Sequence, residues 1–180
     1  MKELSTERLI LRQWREDDYL DLYEYAKSEL VGPRVGWMPH RNEDESKEII
    51  KMLIKDGAYA IVLREENKVI GSIGVHNKVP NGVEKKGNQR EIGYCLNPKY
   101  WGNGYMPEAT GEVVKYCFNE LDLDETWIGH NIYNTNSQRV IEKCGFNFRL
   151  EVDDVLVKLN NKKVRNKLYS ITREEYLNLK

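Results

Sequence analysis

A mixed α/β or α+β fold, with a sheet of about six or seven strands and flanking helices, is what this sequence predicts. Three observations carry the prediction. β-rich runs are interleaved with stretches of helical spacing, neighbouring β-rich runs are joined by short polar turns as in hairpins, and no repeat, linker or low-complexity tract interrupts the order. At 180 residues the chain suits one domain with a full core, so residues 1–180 are expected to form a single domain.

Taken in order, "ERLILRQW" alternates Leu9, Leu11 and Gln13 with Ile10, Arg12 and Trp14, which predicts a well-covered first strand. "EDDYLDLYEYAKSEL" places Tyr19, Leu22, Tyr23 and Ala26 at helical spacing behind acidic residues suited to a first turn. "VGPRVGWMPH", with two prolines and two glycines, reads as a loop, and "EDESKEIIKMLIK" resumes helical spacing through Ile49, Ile50, Leu53 and Ile54. "AYAIVLRE" and "KVIGSIGVHN" form a predicted hairpin around "ENK", followed by the polar excursion "KVPNGVEKKGNQ".

"REIGYCLN" is a short strand with Glu91, Gly93 and Cys95 on one side, stopped by Pro98. The next helix has Ala109, Val113, Tyr116 and Cys117 as its buried stripe. "ETWIGHNIY" is a strand, and "TNSQRVIEKC" is a short helix closed by Gly145 where a left-handed cap needs glycine. "FNFRLEVDDVLVKL" and "KVRNKLYSI" are strands around the turn "NNKK". "TREEYLNL" ends the chain as a helical turn with a capping box from Thr172 to Glu175.

Composition removes several classes of function. The 28 basic and 29 acidic residues nearly cancel, so no global field draws the chain to nucleic acid or to an anionic membrane. Cys95, Cys117 and Cys144 are too far apart for a CxxC motif and lack an accompanying histidine cluster; they read as core residues, and no metal site is expected. Arg8 and Arg12 break the apolar run near the N-terminus, and no stretch approaches the ~20 apolar residues of a membrane span. A reducing, cytoplasmic setting follows as the expectation.

The stretch "NPKYWGNGYMPEA" holds the most chemistry. Gly102 and Gly104 flank Asn103 at the mouth of a predicted helix, where unpaired N–H groups and the helix dipole favour an anion. A turn alone also explains such a pair. Neither GxGxxG nor a GK followed by Ser or Thr is present, which weakens a nucleotide-binding reading and leaves a shorter pyrophosphate cradle from about Gly102 to Met106. Pro107 is tolerated there because an early helical N–H has no partner in any case.

"REIGYCLNPKYWGNGYMPEAT", read together with "NIYNTNSQRVIEKCGF", resembles the GNAT superfamily of acetyl-CoA-dependent N-acetyltransferases, most of all its ribosomal-protein N-terminal acetyltransferase branch. The likeness spans nearly the whole chain, including "STERLILRQWREDD". Its most specific parts are "YWGNGYMPEA" and the pattern Asn134, Ser137, Lys143, Gly145, Phe146.

The resemblance implies an acyl-CoA N-acyltransferase fold whose two central strands splay apart around the pantetheine arm of acetyl-CoA. Cys95, Leu96 and Asn97 are then expected to lend it backbone groups, with Asn134 touching it as well. The turn formed by Trp101, Gly102, Asn103, Gly104, Tyr105 and Met106 is expected to wrap the pyrophosphate. The wider superfamily prefers Arg or Gln where Lys99 stands, so Lys99 receives no contact.

Acetyl transfer needs a neutral amine, and a lysine of pKa about 10.4 is neutral only about once in a few thousand at pH 7, against roughly a tenth for an α-amino group. Glu91 is the family-matched base, acting directly or through water; the plainer reading is a solvated residue at the edge of a charged loop. Ser137 stands where this branch places a hydroxyl near the sulfur, while helix capping is the local alternative for both Asn134 and Ser137. Tyr94, Tyr105 and Tyr133 rank below Ser137 as acids. Glu108 matches a common family glutamate, but a first-turn carboxylate is favoured by the dipole alone.

Residues 16–29 hold six acidic side chains and one basic, which suits a cationic acceptor or simply a solvated helix face. Trp37, in the variable loop between the first two helical segments, is a candidate shield for the thioester. The expected partners are acetyl-CoA and a primary amine, either a peptide N-terminus or a small cationic amine. No nucleic acid or membrane is expected, and the chain is expected to act as a monomer or homodimer. A non-catalytic CoA-binding module is the alternative.

Overall fold

Two short N-terminal strands, β1 (Leu4–Ser5) and β2 (Leu9–Gln13), begin the sheet in the computed structural model, which describes residues 1–178. Leu4 faces Leu11, and Leu9 and Leu11 are fully buried, so the alternation in the first run is that of a strand with one face in the core. α1 (Tyr19–Ala26) follows a single 3₁₀ turn, Glu16–Asp18. The proline- and glycine-rich loop contains a short helical turn, α2 (Gly32–Val35), closed by Gly36 at φ 100°. α3 (Glu43–Asp56) starts where the Asn42 side chain accepts the Glu45 N–H at 2.9 Å, and ends at Gly57 in the left-handed region.

β3 (Tyr59–Leu63) pairs antiparallel with β2, from Leu9 opposite Leu63 to Gln13 opposite Tyr59. It also pairs antiparallel with β4 (Lys68–His76), and Asn67 at φ 48° closes that hairpin. The chain then forms β5 (Gln89–Leu96), a 3₁₀ turn at Pro98–Tyr100 and α4 (Tyr105–Asn119). In α4, Ala109, Val113 and Cys117 of the expected stripe are fully buried, whereas Tyr116 is half-buried. The remaining elements are β6 (Glu125–Asn131), α5 (Thr135–Lys143), β7 (Asn147–Leu156), β8 (Lys162–Thr172) and α6 (Arg173–Asn178).

The seven expected strands are therefore present among the described residues, and the two-residue β1 is added to them. Its brevity hides it from a pattern search, because two residues cannot display an alternation. Parallel and antiparallel pairings coexist, which makes the fold mixed α/β.

Two compact units divide the chain: Met1–Gly74 with Tyr94–Ala109, and Val75–Gly93 with the described residues from Thr110 onward. In the first, α1 and α3 cover a core of Trp14, Leu22, Tyr25, Ile50, Val62 and Val69 among others. There the Asn97 N–H donates to the Ile70 carbonyl at 2.8 Å, so the end of β5 lies beside β4.

In the second unit β5 pairs parallel with β6, from Gln89 opposite Glu125 to Ile92 opposite Ile128. A parallel pair needs a crossover, which α4 provides. β8 pairs antiparallel with both β6 and β7, and its turn with β7 carries Asn160 and Asn161 at φ 53° and 57°. Gly145, at φ 80°, follows α5. The capping box of α6 forms in both directions, since the Thr172 N–H donates to the Glu175 carboxylate and the Glu175 N–H to Thr172 Oγ1. Leu179, the last residue of that expected turn, lies outside the described residues.

Candidate active site

The turn between β5 and α4 is built by a relay of short-range bonds. Asn97 is buried; its side chain accepts the Lys99 N–H at 3.1 Å and its carbonyl accepts the Tyr100 N–H at 3.0 Å. With its own N–H given to Ile70, both backbone groups of Asn97 are used within the protein. Trp101 Nε1 donates to the Leu96 carbonyl at 2.9 Å, which folds the indole back over the strand end. Gly102 and Gly104 sit at φ 81° and 80°, a region closed to most L side chains, so the turn requires glycine at both places.

The Glu108 N–H to Gly104 carbonyl bond, at 3.2 Å, starts α4. Tyr105 and Met106 ahead of it bring N–H groups that the helix cannot satisfy, and Pro107 brings none. A Cβ at Gly102 would meet nothing within 4 Å, so that side of the turn is open.

Glu108 does more than complement the dipole. Its carboxylate accepts from Thr6 Oγ1 at 2.5 Å, from the Arg8 N–H at 3.0 Å and from Arg8 Nε at 2.7 Å. Burial opposes ionisation, but these donors together hold its carboxyl below the usual carboxylate range. Arg8 Nη1 in turn donates to the Asn103 carbonyl at 3.0 Å, and the guanidinium lies 4.5 Å over the Tyr105 ring. Tyr105 is thereby engaged as a platform for Arg8.

A second knot holds the other end of the turn. Glu24, on α1, accepts from Lys68 Nζ at 2.5 Å and from Asn97 Nδ2 at 3.1 Å, with Lys99 Nζ 2.9 Å away. The Lys68 hydrogen bond is the main reason that the Glu24 pKa falls to about 2; burial works against it, and Lys99 and Asn97 add to it. Lys99 thus pairs with α1. Because the folded pKa lies below the ordinary 4.5, this network stabilises fully above about 4.5, and the contribution is lost as pH falls toward about 2. Glu24→Gln is expected to cost about 1–2 kcal/mol at pH 7 and to flatten the acid limb of stability, measured by denaturant unfolding at stepped pH. An unchanged acid limb would remove Glu24 as its source.

The acidic segment 16–29 is partly committed in the same way. Asp18 makes two bonds to Arg12, at 2.7 and 2.8 Å, and Asp21 accepts the Val69 N–H at 2.9 Å. In the loop before α3, Trp37 is half-buried, packs against Gly32 and the core of this unit, and lies 5.2 Å from the His40 ring. Arg34, on α2, reaches the Trp101 ring at 5.5 Å, so this loop bears on the glycine turn through Arg34.

In the second unit, Glu91 stands on β5 with Lys78 Nζ 3.1 Å from Oε2. Asn134 is the N-cap of α5 and accepts the Ser137 N–H at 3.2 Å. Capping is therefore done by Asn134, with Ser137 the third residue of the helix. Tyr133 is 85% exposed. His130 is buried against Tyr169, with Nε2 3.3 Å from the hydroxyl, and burial lowers its pKa; His40 is likewise buried, 2.8 Å from Ser46 Oγ.

Residues 8–147 match the family described as an acetyltransferase (GNAT) domain. The chain belongs to the GNAT acetyltransferases. It is 30% identical over 154 residues to the uncharacterized N-acetyltransferase YoaA of Bacillus subtilis (strain 168), covering 79% of this chain and 81% of that one. The crystal structure of a GNAT-family acetyltransferase from Bacillus anthracis superposes with a TM-score of 0.84 at 25% identity, over 97% of this chain and all of the other. A putative ribosomal-protein-serine acetyltransferase from Vibrio cholerae shares the fold at a TM-score of 0.80 and 20% identity, covering 95% and 97% of the two chains.

As a GNAT enzyme the protein transfers an acetyl group from acetyl-CoA. Burial pushes the Cys95 thiol up to about 11, Cys117 to about 12 and Cys144 to about 11, which disfavours the thiolate at all three. Among the described residues no cluster of His, Cys, Asp and Glu is suited to a metal ion, and no helix is long and apolar enough to cross a membrane. Arg8, Glu24 and Thr6 were not legible as parts of the GNAT turn, because each acts on residues far along the chain.

Proposed function

We propose that Trp101–Met106 holds the pyrophosphate of acetyl-CoA, with Glu91 as general base and Ser137 as donor to the departing sulfur. The acceptor in this reading is a primary amine, foremost a protein N-terminus and alternatively a small cationic amine. The observation that carries the reading is the pair of left-handed glycines directly before α4, where the Tyr105 and Met106 amides precede the first helical bond.

Acetyl-CoA supplies an activated acyl group on sulfur. Cys95 and Leu96 border the proposed pantetheine path, while Asn97, with its backbone groups engaged, fixes the turn. Glu91 takes a proton from the acceptor nitrogen, the demand that is smallest for an α-amine, already neutral roughly a tenth of the time at pH 7. Because Asp18, Asp21 and Glu24 brace the fold, the acidic stretch speaks less for a polyamine than its count suggests. The fold shared with the putative ribosomal-protein-serine acetyltransferase from Vibrio cholerae is compatible with a protein acceptor.

Thiol release from acetyl-CoA is expected with peptides that have a free N-terminus and not with the same peptides N-blocked. Turnover confined to polyamines or aminoglycosides would move the acceptor to the small-amine class. The two residues at the start of α5 separate by their effects. Asn134→Ala should cost about 0.5–2 kcal/mol in stability through the lost cap. Ser137→Ala should lower kcat by about tenfold or more, beyond what its melting curve explains. Full activity of Ser137→Ala would take the hydroxyl out of the reaction.

A further inference from the structure

We infer that Arg8 is a positioning residue for the acetyl-CoA site, fixing the peptide between Asn103 and Gly104 so that its N–H faces the diphosphate; this rests on the proposed placement of the pyrophosphate at the glycine turn. The guanidinium is held as a fork. Nε donates to Glu108 Oε2 at 2.7 Å, Nη2 lies 2.7 Å from the same oxygen, and Nη1 donates to the Asn103 carbonyl at 3.0 Å. The Tyr105 ring lies beneath it at 4.5 Å, and Glu108 is itself anchored by Thr6 and by the Arg8 N–H.

A trans peptide is planar, so its carbonyl and the next N–H point in opposite directions. Drawing the Asn103 carbonyl toward Arg8 therefore turns the Gly104 N–H the other way. It also removes from that side a carbonyl oxygen that would repel a phosphate. Gly104, at φ 80°, puts no side chain on one side of this peptide, while on the other the Asn103 side-chain amide donates back to the Tyr100 and Trp101 carbonyls at 3.3 and 3.2 Å and leaves the Asn103 backbone carbonyl to Arg8. Arg8 supplies from outside a constraint on that carbonyl that Gly104 lacks. Nη2 lies 3.5 Å from where a Gly104 Cβ would stand, so Arg8 is packed against the turn itself.

Lysine cannot replace this geometry, because one ammonium does not reproduce a planar fork shared between Glu108 and a carbonyl. Arg8→Ala is expected to raise the acetyl-CoA KM about tenfold while kcat stays within about twofold, and Arg8→Lys to raise it nearly as much. Glu108→Gln, which loosens the grip on Arg8 without removing it, should fall between. Competition by CoA, 3′-dephospho-CoA and pantetheine resolves the cause. The penalty of Arg8→Ala should be the same for the first two ligands and absent for pantetheine, which lacks the diphosphate.

Full rescue by Arg8→Lys would reduce the role to a point charge and overturn the inference. So would a penalty that disappears with 3′-dephospho-CoA, which would make Arg8 a direct reader of the 3′-phosphate, or one that persists with pantetheine. A wild-type protein that binds pantetheine as well as CoA would overturn this inference together with the pyrophosphate placement. Wild-type preference for CoA that Arg8→Ala leaves intact would overturn this inference alone.

Discussion

Glu91→Gln is expected to lower kcat by about 10²–10⁴-fold, the range that general-base catalysis supplies, while CoA affinity stays nearly unchanged. The substitution keeps the size of the side chain and its hydrogen-bonding oxygen but removes the basic site. Lys78, 3.1 Å from Oε2, is 66% exposed, but the Glu91 side chain is only 20% exposed, so a melting curve on the same preparation separates any loss of stability from the loss of rate. Steady-state kinetics between pH 6 and 9, paired with calorimetric titration of CoA, measure both quantities. A loss under threefold across that range would return Glu91 to a plain strand carboxylate and leave proton removal to water or to the acceptor's own equilibrium.

Gly104→Val is expected to weaken CoA binding by tenfold or more, on the order of 1.4 kcal/mol. A β-branched residue at φ 80° is disfavoured whatever space surrounds it, so the turn must change its backbone to accept valine. That change misdirects the amides between Asn103 and Met106. The Arg8 side chain 3.5 Å from the new Cβ is at ordinary contact distance, which makes the backbone angle and not a clash the cause. Gly111→Ala provides the control: it lies within α4 in open space, where alanine should add about 0.5–1 kcal/mol of stability and leave CoA binding alone. Equal CoA affinity in a folded Gly104→Val protein, read by calorimetry, would exclude the turn as the pyrophosphate site.

Much of the local architecture was legible because its causes lie within a few residues of one another. The capping box from Thr172 to Glu175, the glycine after α5, the hairpin turns at Asn67 and at Asn160–Asn161, and the glycine pair before α4 all follow from such short-range demands. The helical turn inside "VGPRVGWMPH" and the two-residue β1 did not, since neither is long enough to show a period.

At the candidate site the same division holds. The sequence by itself determined where a tight turn ahead of a helix forms, because glycine takes φ near 80° most readily and stands there twice within three residues. It also determined that a helix begins there with a proline whose missing N–H costs nothing. What holds that turn in one shape was decided only by tertiary structure. Arg8 and Glu108 are 100 positions apart, and Glu24 meets Asn97 across 73. Before folding, the acidic run 16–29 and the arginines of the first strand look like solvated charge. Whether a carboxylate faces water, caps a strand amide or grips an arginine depends on which surface the fold brings against it, and local sequence carries no record of that surface.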